Sequence, residues 1–334
     1  MNITYRNHYL PQFYLRSFVN KDNEDSFWVY YKDKKEPIKQ TPINTGVEKN
    51  LYNIKMSDGS IDDTFERKFL SDIEGRVSPI ICRLINSETS IQKHEIPELA
   101  LFLSLLAARV PRSIGMAKEI CELNNLYILK KFTQNPREIQ KFIDSEKITN
   151  NSYKESTIQD IQNKLKDFEN RIHIKVNKKY ATLLSISLFL ELYYIFSKMN
   201  WCLCNSTKNI FFISSDCPVV SFVPSENGTA LLGCGYGLQN VEISFPLSPQ
   251  KCLLLDNIRK QKHRTVSDIF VKEINKRTAW TAEKFIISNI KCRYVEYLVN
   301  WSSDSKKHSK IDKKKFFDLL DKTNFYNQIK NNNL

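Results

Sequence analysis

Asn7, His8, Gln12 and Arg16 stand among aromatic and aliphatic residues in the opening stretch NHYLPQFYLRSF, residues 7–18, where a plain core segment has no use for them. Further along come Glu66, Glu74, Arg109, Arg112, Asp216 and Asn275. By type, this set has the parts of a hydrolytic or phosphoryl-transfer site. Carboxylates can hold a hard divalent cation through oxygen, an imidazole can move a proton, and guanidiniums can neutralise phosphate. On that reading Glu66 and Asp216, with Glu74 as third ligand, bind Mg or Mn. His8 is the general acid or base and Arg109 faces the phosphate, so that His8, Glu66, Arg109 and Asp216 form the catalytic set. Asn7, Arg16, Arg112 and Asn275 contact the substrate.

Each residue also has a plainer use. Asp216 follows the apolar run of FFISSDCPVVSF in a turn fixed by Pro218, and aspartate there caps backbone N–H groups as readily as it presents a carboxylate. Glu66 and Arg109 can form an ion pair that only orients two helices.

The elements that position these groups follow from periodicity. Asp62-Asp63-Thr64 reads as a helix N-terminus. With Phe65 at the origin of a helical wheel, the apolar residues Phe65, Phe69, Leu70, Ile73, Val77, Ile80, Ile81 and Leu84 span an arc of roughly 160°, and Glu66 falls inside it at about 100°. Glu74 lies just past its edge. A carboxylate on an apolar face needs a partner, because an isolated buried charge costs several kcal/mol or more. The next helix, EIPELALFLSLLAARVPR, is apolar from Leu99 to Ala108 and delivers Arg109 to its C-terminal end, where the helix dipole favours a cation.

Ser26–Lys32 reads as a strand and Asp33–Gly46 as a loop. Residues 119–200 are helical in composition, including the polar stretch Gln159–Glu169, and can form a helical subdomain or insertion. Past Trp201 short runs of β-formers take over. Trp201–Cys204 and Ile210–Ser214 are expected as a hairpin, Val241–Phe245 and Cys252–Leu255 as a second pair, then a helix over Val266–Ala282 and a strand over Lys284–Ser288. The fold class is α+β: helix-rich N-terminal and middle regions packed with a smaller, mainly antiparallel C-terminal sheet. Residues 1–300 read as one large domain and 301–334 as a basic C-terminal extension, frayed at Lys330–Leu334.

Among the 334 residues the net charge of +13 is uneven: from Asn257 onward 18 Lys and Arg face 8 Asp and Glu. Such asymmetry suits a polyanionic partner, nucleic acid or a phosphorylated small molecule. There is no P-loop, no H-E-x-x-H, no G-x-S-x-G and no zinc-deaminase pattern. Gly233-Cys234-Gly235-Tyr236-Gly237 does not open a helix, so no dinucleotide site is expected. Cys202 and Cys204 lack a second pair at zinc spacing, and neither zinc nor haem is expected. The longest nearly apolar run, Leu99–Ala108, is short of the roughly 18–20 residues a membrane span needs, and the start does not read as a signal peptide. The expectation is a cytoplasmic protein with no membrane partner and an undetermined oligomeric state.

In the order NHYLPQFYLRSF, the Glu of FERKF with Ile73-Glu74, RVPR, FISSDCPVV, ISFPLSP and the Asn of EINKRTA, the chain resembles the uncharacterised, mainly bacterial family catalogued as domain of unknown function 4238. The resemblance implies no established activity. It does imply that these polar positions belong to one constellation. Two functions compete: a metal-dependent phosphodiester or nucleotide hydrolase, nuclease-like and suited to bacterial defence, and a non-catalytic nucleic-acid or nucleotide-binding sensor whose Glu/Arg network is structural.

Overall fold

The NHYLPQFYLRSF stretch folds as a short strand, β1 (Arg6–His8), followed by a short helix, α1 (Gln12–Arg16), with Pro11 at the position just before the helix. Leu10, Tyr14, Leu15 and Phe18 are fully buried. The Tyr14 ring stacks on Phe245 at 4.9 Å and its hydroxyl meets the Ser214 Oγ at 2.6 Å, while Phe13 touches Phe102 at 5.5 Å. These aromatic contacts pin the N-terminal stretch to the core from several sides.

The structure is a computed structural model describing residues 4–20, 25–87, 90–149, 173–224, 231–232, 235–305, 311–323 and 325–326. The Gln159–Glu169 stretch, Gly233 and Cys234 of the glycine-rich motif and the Lys330–Leu334 tail lie outside the described residues. After α1 come strands β2 (Phe27–Tyr31), β3 (Ile38–Gln40), β4 (Val47–Lys49), β5 (Ile54–Lys55) and β6 (Ile61–Asp62). Helices α2 (Ser71–Asn86), α3 (Ile96–Arg109), α4 (Pro111–Gln134), α5 (Pro136–Thr149), α6 (Lys178–Ser187) and α7 (Phe189–Lys198) follow. The C-terminal part holds β7 (Asn200–Asn205), β8 (Ser214–Ser215), β9 (Val220–Val223), β10 (Leu231–Leu232), β11 (Glu242–Ser248), β12 (Lys251–Asp256), β13 (His263–Thr265), α8 (Asp268–Thr281), β14 (Phe285–Ser288), α9 (Arg293–Ser305) and α10 (Lys313–Lys322).

The chain makes two compact units, one from Met1–Gly115 with Thr182–His308, the other from Met116–Ala181 with Ser309–Leu334. In the first, β10-β9-β11-β12-β7-β13 form a six-stranded sheet, antiparallel except where β13 runs parallel to β7. A four-stranded antiparallel sheet has the order β3-β2-β14-β8. The α+β class and the mainly antiparallel C-terminal sheet are as expected. Cys202, Cys204 and Cys252 pack with Val271 and Ile274 of α8, and Tyr30 and Ile286 pack with Val295 and Leu298 of α9. Helix α3 is buried along nearly its whole length, as its uncharged run requires, and lies against α7. In the second unit Leu126 and Tyr127 of α4 pack on Phe317 and Leu320 of α10.

Three expected local structures differ, the first being the loop expected over Asp33–Gly46, which holds β3 and a short 3-10 helix at Pro42–Asn44. Ile210–Ser214 is not the partner of Trp201–Cys204: β7 pairs with β12 and β13, and β8 joins β14 in the other sheet. Residues between them are held from outside the ladder, Phe212 N–H donating to the Pro249 carbonyl at 2.8 Å and Ile213 N–H to the Asn275 Oδ1 at 3.0 Å. The helix expected from Asp62 begins instead with a π-helical turn, Phe65–Leu70, before α2. Its wider winding changes the phase of the wheel, and Phe69 emerges 39% exposed.

By length and composition Lys178–Lys198, 21 residues with a mean hydropathy of 1.4, is long and apolar enough to cross a membrane, although only 28% of its most apolar window is buried in the fold. Leu99–Ala108, broken only by Ser104, is the more uniformly apolar run. In Lys178–Lys198, Thr182, Ser185 and Glu191 break the run without ending the helical stretch.

Candidate functional site

Strand β1 pairs with β4 so that Asn7 lies opposite Glu48, and the Asn7 side chain is fully buried. Its Nδ2 donates to the Thr4 carbonyl at 3.2 Å and to the Glu66 carboxylate, and its Oδ1 accepts from the Tyr52 N–H at 3.4 Å. The other Glu66 oxygen accepts the backbone N–H of His8 at 2.9 Å. Burial pushes the Glu66 carboxyl above its ordinary value; the bonds from His8 and Asn7 and the charge of Arg109 pull it back, and Glu74 adds to the rise.

His8 therefore serves Glu66 through its backbone, not through its ring. The imidazole Nε2 is 3.3 Å from the Ile43 carbonyl. Burial lowers its pKa more than that bond raises it, with Arg6 and Arg109 lowering and Glu74 raising it further.

Arg109 takes Glu74, not Glu66, as its ion-pair partner. The contact is 2.8 Å, and the guanidinium Nε donates to the Tyr9 carbonyl at 3.1 Å. The π-helical turn supplies the physical reason: it separates the phases of Glu66 and of Glu74 in α2, and the tighter helix after it presents Glu74 toward the end of α3. Tyr52 is buried among these charges, its phenol pushed up first by desolvation, lowered by Arg109 and raised by Glu66, Glu74 and Glu48. Its hydroxyl is buried without a hydrogen-bond partner.

Asp216 belongs to a second group. It is fully buried, and its two oxygens accept the N–H groups of Glu283 at 2.9 Å and Lys284 at 2.7 Å. Arg112 is nearby, its guanidinium 4.7 Å from the Trp280 ring centroid and 3.6 Å from Glu283, and it donates to the Thr281 carbonyl at 3.4 Å. Tyr9 links the two groups, for its carbonyl takes Arg109 and its phenol is pushed up by burial and then by the Asp216 charge.

Asn275 is elsewhere again, fully buried on α8, accepting from Ile213 N–H and donating to the Phe211 carbonyl at 2.9 Å. Arg16 is exposed in the last turn of α1. The first group thus gathers Asn7, His8, Glu66, Glu74 and Arg109. Asp216 does not share a ligand cluster with Glu66 and Glu74: among the described residues no three of His, Cys, Asp and Glu converge to hold a metal ion.

Three features lie outside the sequence-derived set. Tyr52 and Asn53 complete the first group, Asn53 Nδ2 donating to the Thr4 carbonyl at 3.0 Å. Buried Glu242 bridges Arg277 and Arg259, and the Arg277 guanidinium stands 3.5 Å from the Phe222 ring centroid. On the four-stranded sheet, Trp28 lies between two exposed lysines, Lys39 at 5.8 Å and Lys291 at 5.4 Å from its ring, and Lys34 stands 4.6 Å over Tyr31. The last had a sequence signal in SFWVYYKDKK, an aromatic run followed at once by lysines.

The sequence profile of the family described as protein of unknown function (DUF4238) matches residues 6–291. The chain belongs to that family. Every residue of the groups above lies within the span matched to DUF4238. Neither the curated proteins nor the solved structures contain a match to this chain.

Proposed function

We infer that this DUF4238 protein binds nucleic acid without needing catalysis, and that its Glu66, Glu74 and Arg109 network is scaffolding. The observation that carries this is the division of labour between charges. Each carboxylate of the expected metal set is engaged by protein donors: Glu66 by Asn7 and His8, Glu74 by Arg109, Asp216 by two backbone N–H groups. The lysines around Trp28 and Tyr31 face outward. Ammonium groups beside aromatic faces suit a phosphate backbone with unstacked bases. Binding of a labelled single-stranded oligonucleotide is expected to quench Trp28 fluorescence, to weaken steeply with salt and to persist in chelator. K39E/K291E is expected to lower the affinity; an unchanged affinity would refute the role of this surface.

One pair of observations favours hydrolysis as a second reading. Glu66 is a carboxyl held above its usual range, and beside it the Tyr52 hydroxyl is buried without a partner. A metal-dependent phosphodiester or nucleotide hydrolase would bind Mg or Mn at Glu66 and Glu74. Calorimetry with Mn then distinguishes the readings: loss of cation binding in E66Q with an intact fold supports hydrolysis, and absence of Mn binding in the unmodified protein removes it.

A further inference from the structure

The second unit carries a cleft of about 440 Å³ whose lining includes Lys130 and Lys131 from α4 and Lys313 and Lys314 from α10. These are two adjacent lysine pairs on two different helices. Beneath them lie Tyr127 and Phe317, both buried, their ring centroids 5.4 Å apart. Lys130 and Lys313 stand 5.5 and 5.6 Å from the Phe317 ring, and Lys131 stands 5.4 Å from the Tyr127 ring. The ammonium groups of these three lysines thus gather over one aromatic floor in the cleft lining.

Of the carboxylates here, Asp321 lines the cleft half exposed and is held by two protein donors. It accepts the Tyr127 hydroxyl at 2.6 Å and the Lys131 ammonium at 2.5 Å, and these two bonds hold its carboxyl below the usual range. Lys130, Lys313 and Lys314 also line the cleft, with Asp318 as the other acid. A second cleft of about 460 Å³ adjoins it through Lys313 and adds Lys118 and Lys175. Its acid, Glu122, is also occupied, accepting the Val176 N–H at 3.0 Å. In the first cleft four lysines stand against two carboxylates, so its lining carries a net positive charge.

Ammonium groups brought together in a concave site repel one another, and a concave wall focuses their field. An anion with several charges in a row relieves that repulsion where a single carboxylate would not. Lysine is a point-charge phosphate binder, and the cleft is the size of a small-ligand site. Both rings are too deeply buried for a base to stack on them, so recognition falls to the phosphates. The geometry points to a binding site for consecutive phosphate groups in this cleft, with Lys130, Lys313 and Lys314 as its ligands. It is independent of the Trp28 surface.

Consecutive phosphates occur in a nucleoside triphosphate and in a nucleic-acid backbone, so the test uses two probes on the full-length chain. Inorganic triphosphate is titrated by calorimetry, and a labelled single-stranded oligonucleotide by fluorescence anisotropy. K130E/K314E is expected to weaken at least one probe by about tenfold or more at low salt, and K130R/K314R to leave it near the original value. Loss of triphosphate alone assigns the phosphate chain of a nucleotide; loss of the oligonucleotide assigns the backbone. If the glutamate variant unfolds, K130Q/K314Q is read instead. The proposal is overturned if the unmodified protein binds neither probe, or if both affinities survive in the folded charge-altered variant. K39E/K291E in the same assays separates failure of the Trp28 surface from failure of this cleft.

Discussion

The Arg109 guanidinium meets the Glu74 carboxylate at 2.8 Å with the arginine side chain 2% exposed and the glutamate 27%. The pair lies at the border of the core, joining the end of α3 to α2, and its second donor ties Tyr9 to the same point.

Removing one member strands the other. R109M is expected to destabilise the protein by about 3–5 kcal/mol, since it leaves the Glu74 charge and the Tyr9 carbonyl without their partner. E74Q takes the counter-charge from Arg109 but keeps an acceptor for its guanidinium, which also retains the Tyr9 carbonyl, and should cost less. Urea unfolding midpoints of the two variants check the order; equal and small shifts would refute a buried role for Arg109.

Glu66 and Glu242 make opposite contributions to pH-dependent stability. Burial raises Glu66, so the folded state holds its proton longer than the unfolded state, and stability falls as pH rises from the unfolded pKa through the folded one. Burial would also raise Glu242, but Arg277 and Arg259 outweigh it and hold the carboxyl low. Its contribution is present above the unfolded pKa and is lost as pH falls through the folded value. Stability measured across mildly acidic pH is expected to lose its decline with rising pH in E66Q and its acid-side loss in E242Q.

Asn275 has one structural task with two bonds. N275A leaves the Ile213 N–H and the Phe211 carbonyl without partners and is expected to cost about 2–4 kcal/mol, read as a lower thermal midpoint. Oligonucleotide affinity of the folded variant should remain unchanged; a selective loss of affinity would return Asn275 to the substrate-contacting set.

Gly46 sets the entry of the N-terminal stretch. Its φ is +67°, and a Cβ there would stand 2.7 Å from the Leu10 Cβ. Its carbonyl accepts the Tyr9 N–H at 2.9 Å. G46A is therefore expected to cost about 2 kcal/mol or more, from the left-handed backbone and the forced shift of Leu10. Faster hydrogen exchange at Tyr9 and His8 is the accompanying signal.

Much of the candidate site is legible in the sequence at the level of individual residues. Asn7, Glu66 and Arg109 each announce themselves by being polar where their neighbours require burial, and each is engaged in the structure. Their partners are less legible. A regular helical wheel offers Glu66 to Arg109, and one π-helical turn is enough to hand that role to Glu74. Residue type and the family resemblance group Asp216 and Asn275 with the N-terminal set, yet each satisfies a different backbone segment. Residue type says that a buried polar group needs partners; it does not say which.

The sequence by itself determined the α+β class, the buried course of α3 and the need of its terminal arginine for an acceptor, because these follow from local periodicity and the cost of burying charge, while its motifs carried the family resemblance. The tertiary structure alone decided the strand order, the choice of Glu74 for Arg109, the backbone duty of Asp216 and the meeting of Lys130 and Lys131 with Lys313 and Lys314. Those pairings join segments far apart in the chain, and the energies that select them exist only once the core has brought the segments together.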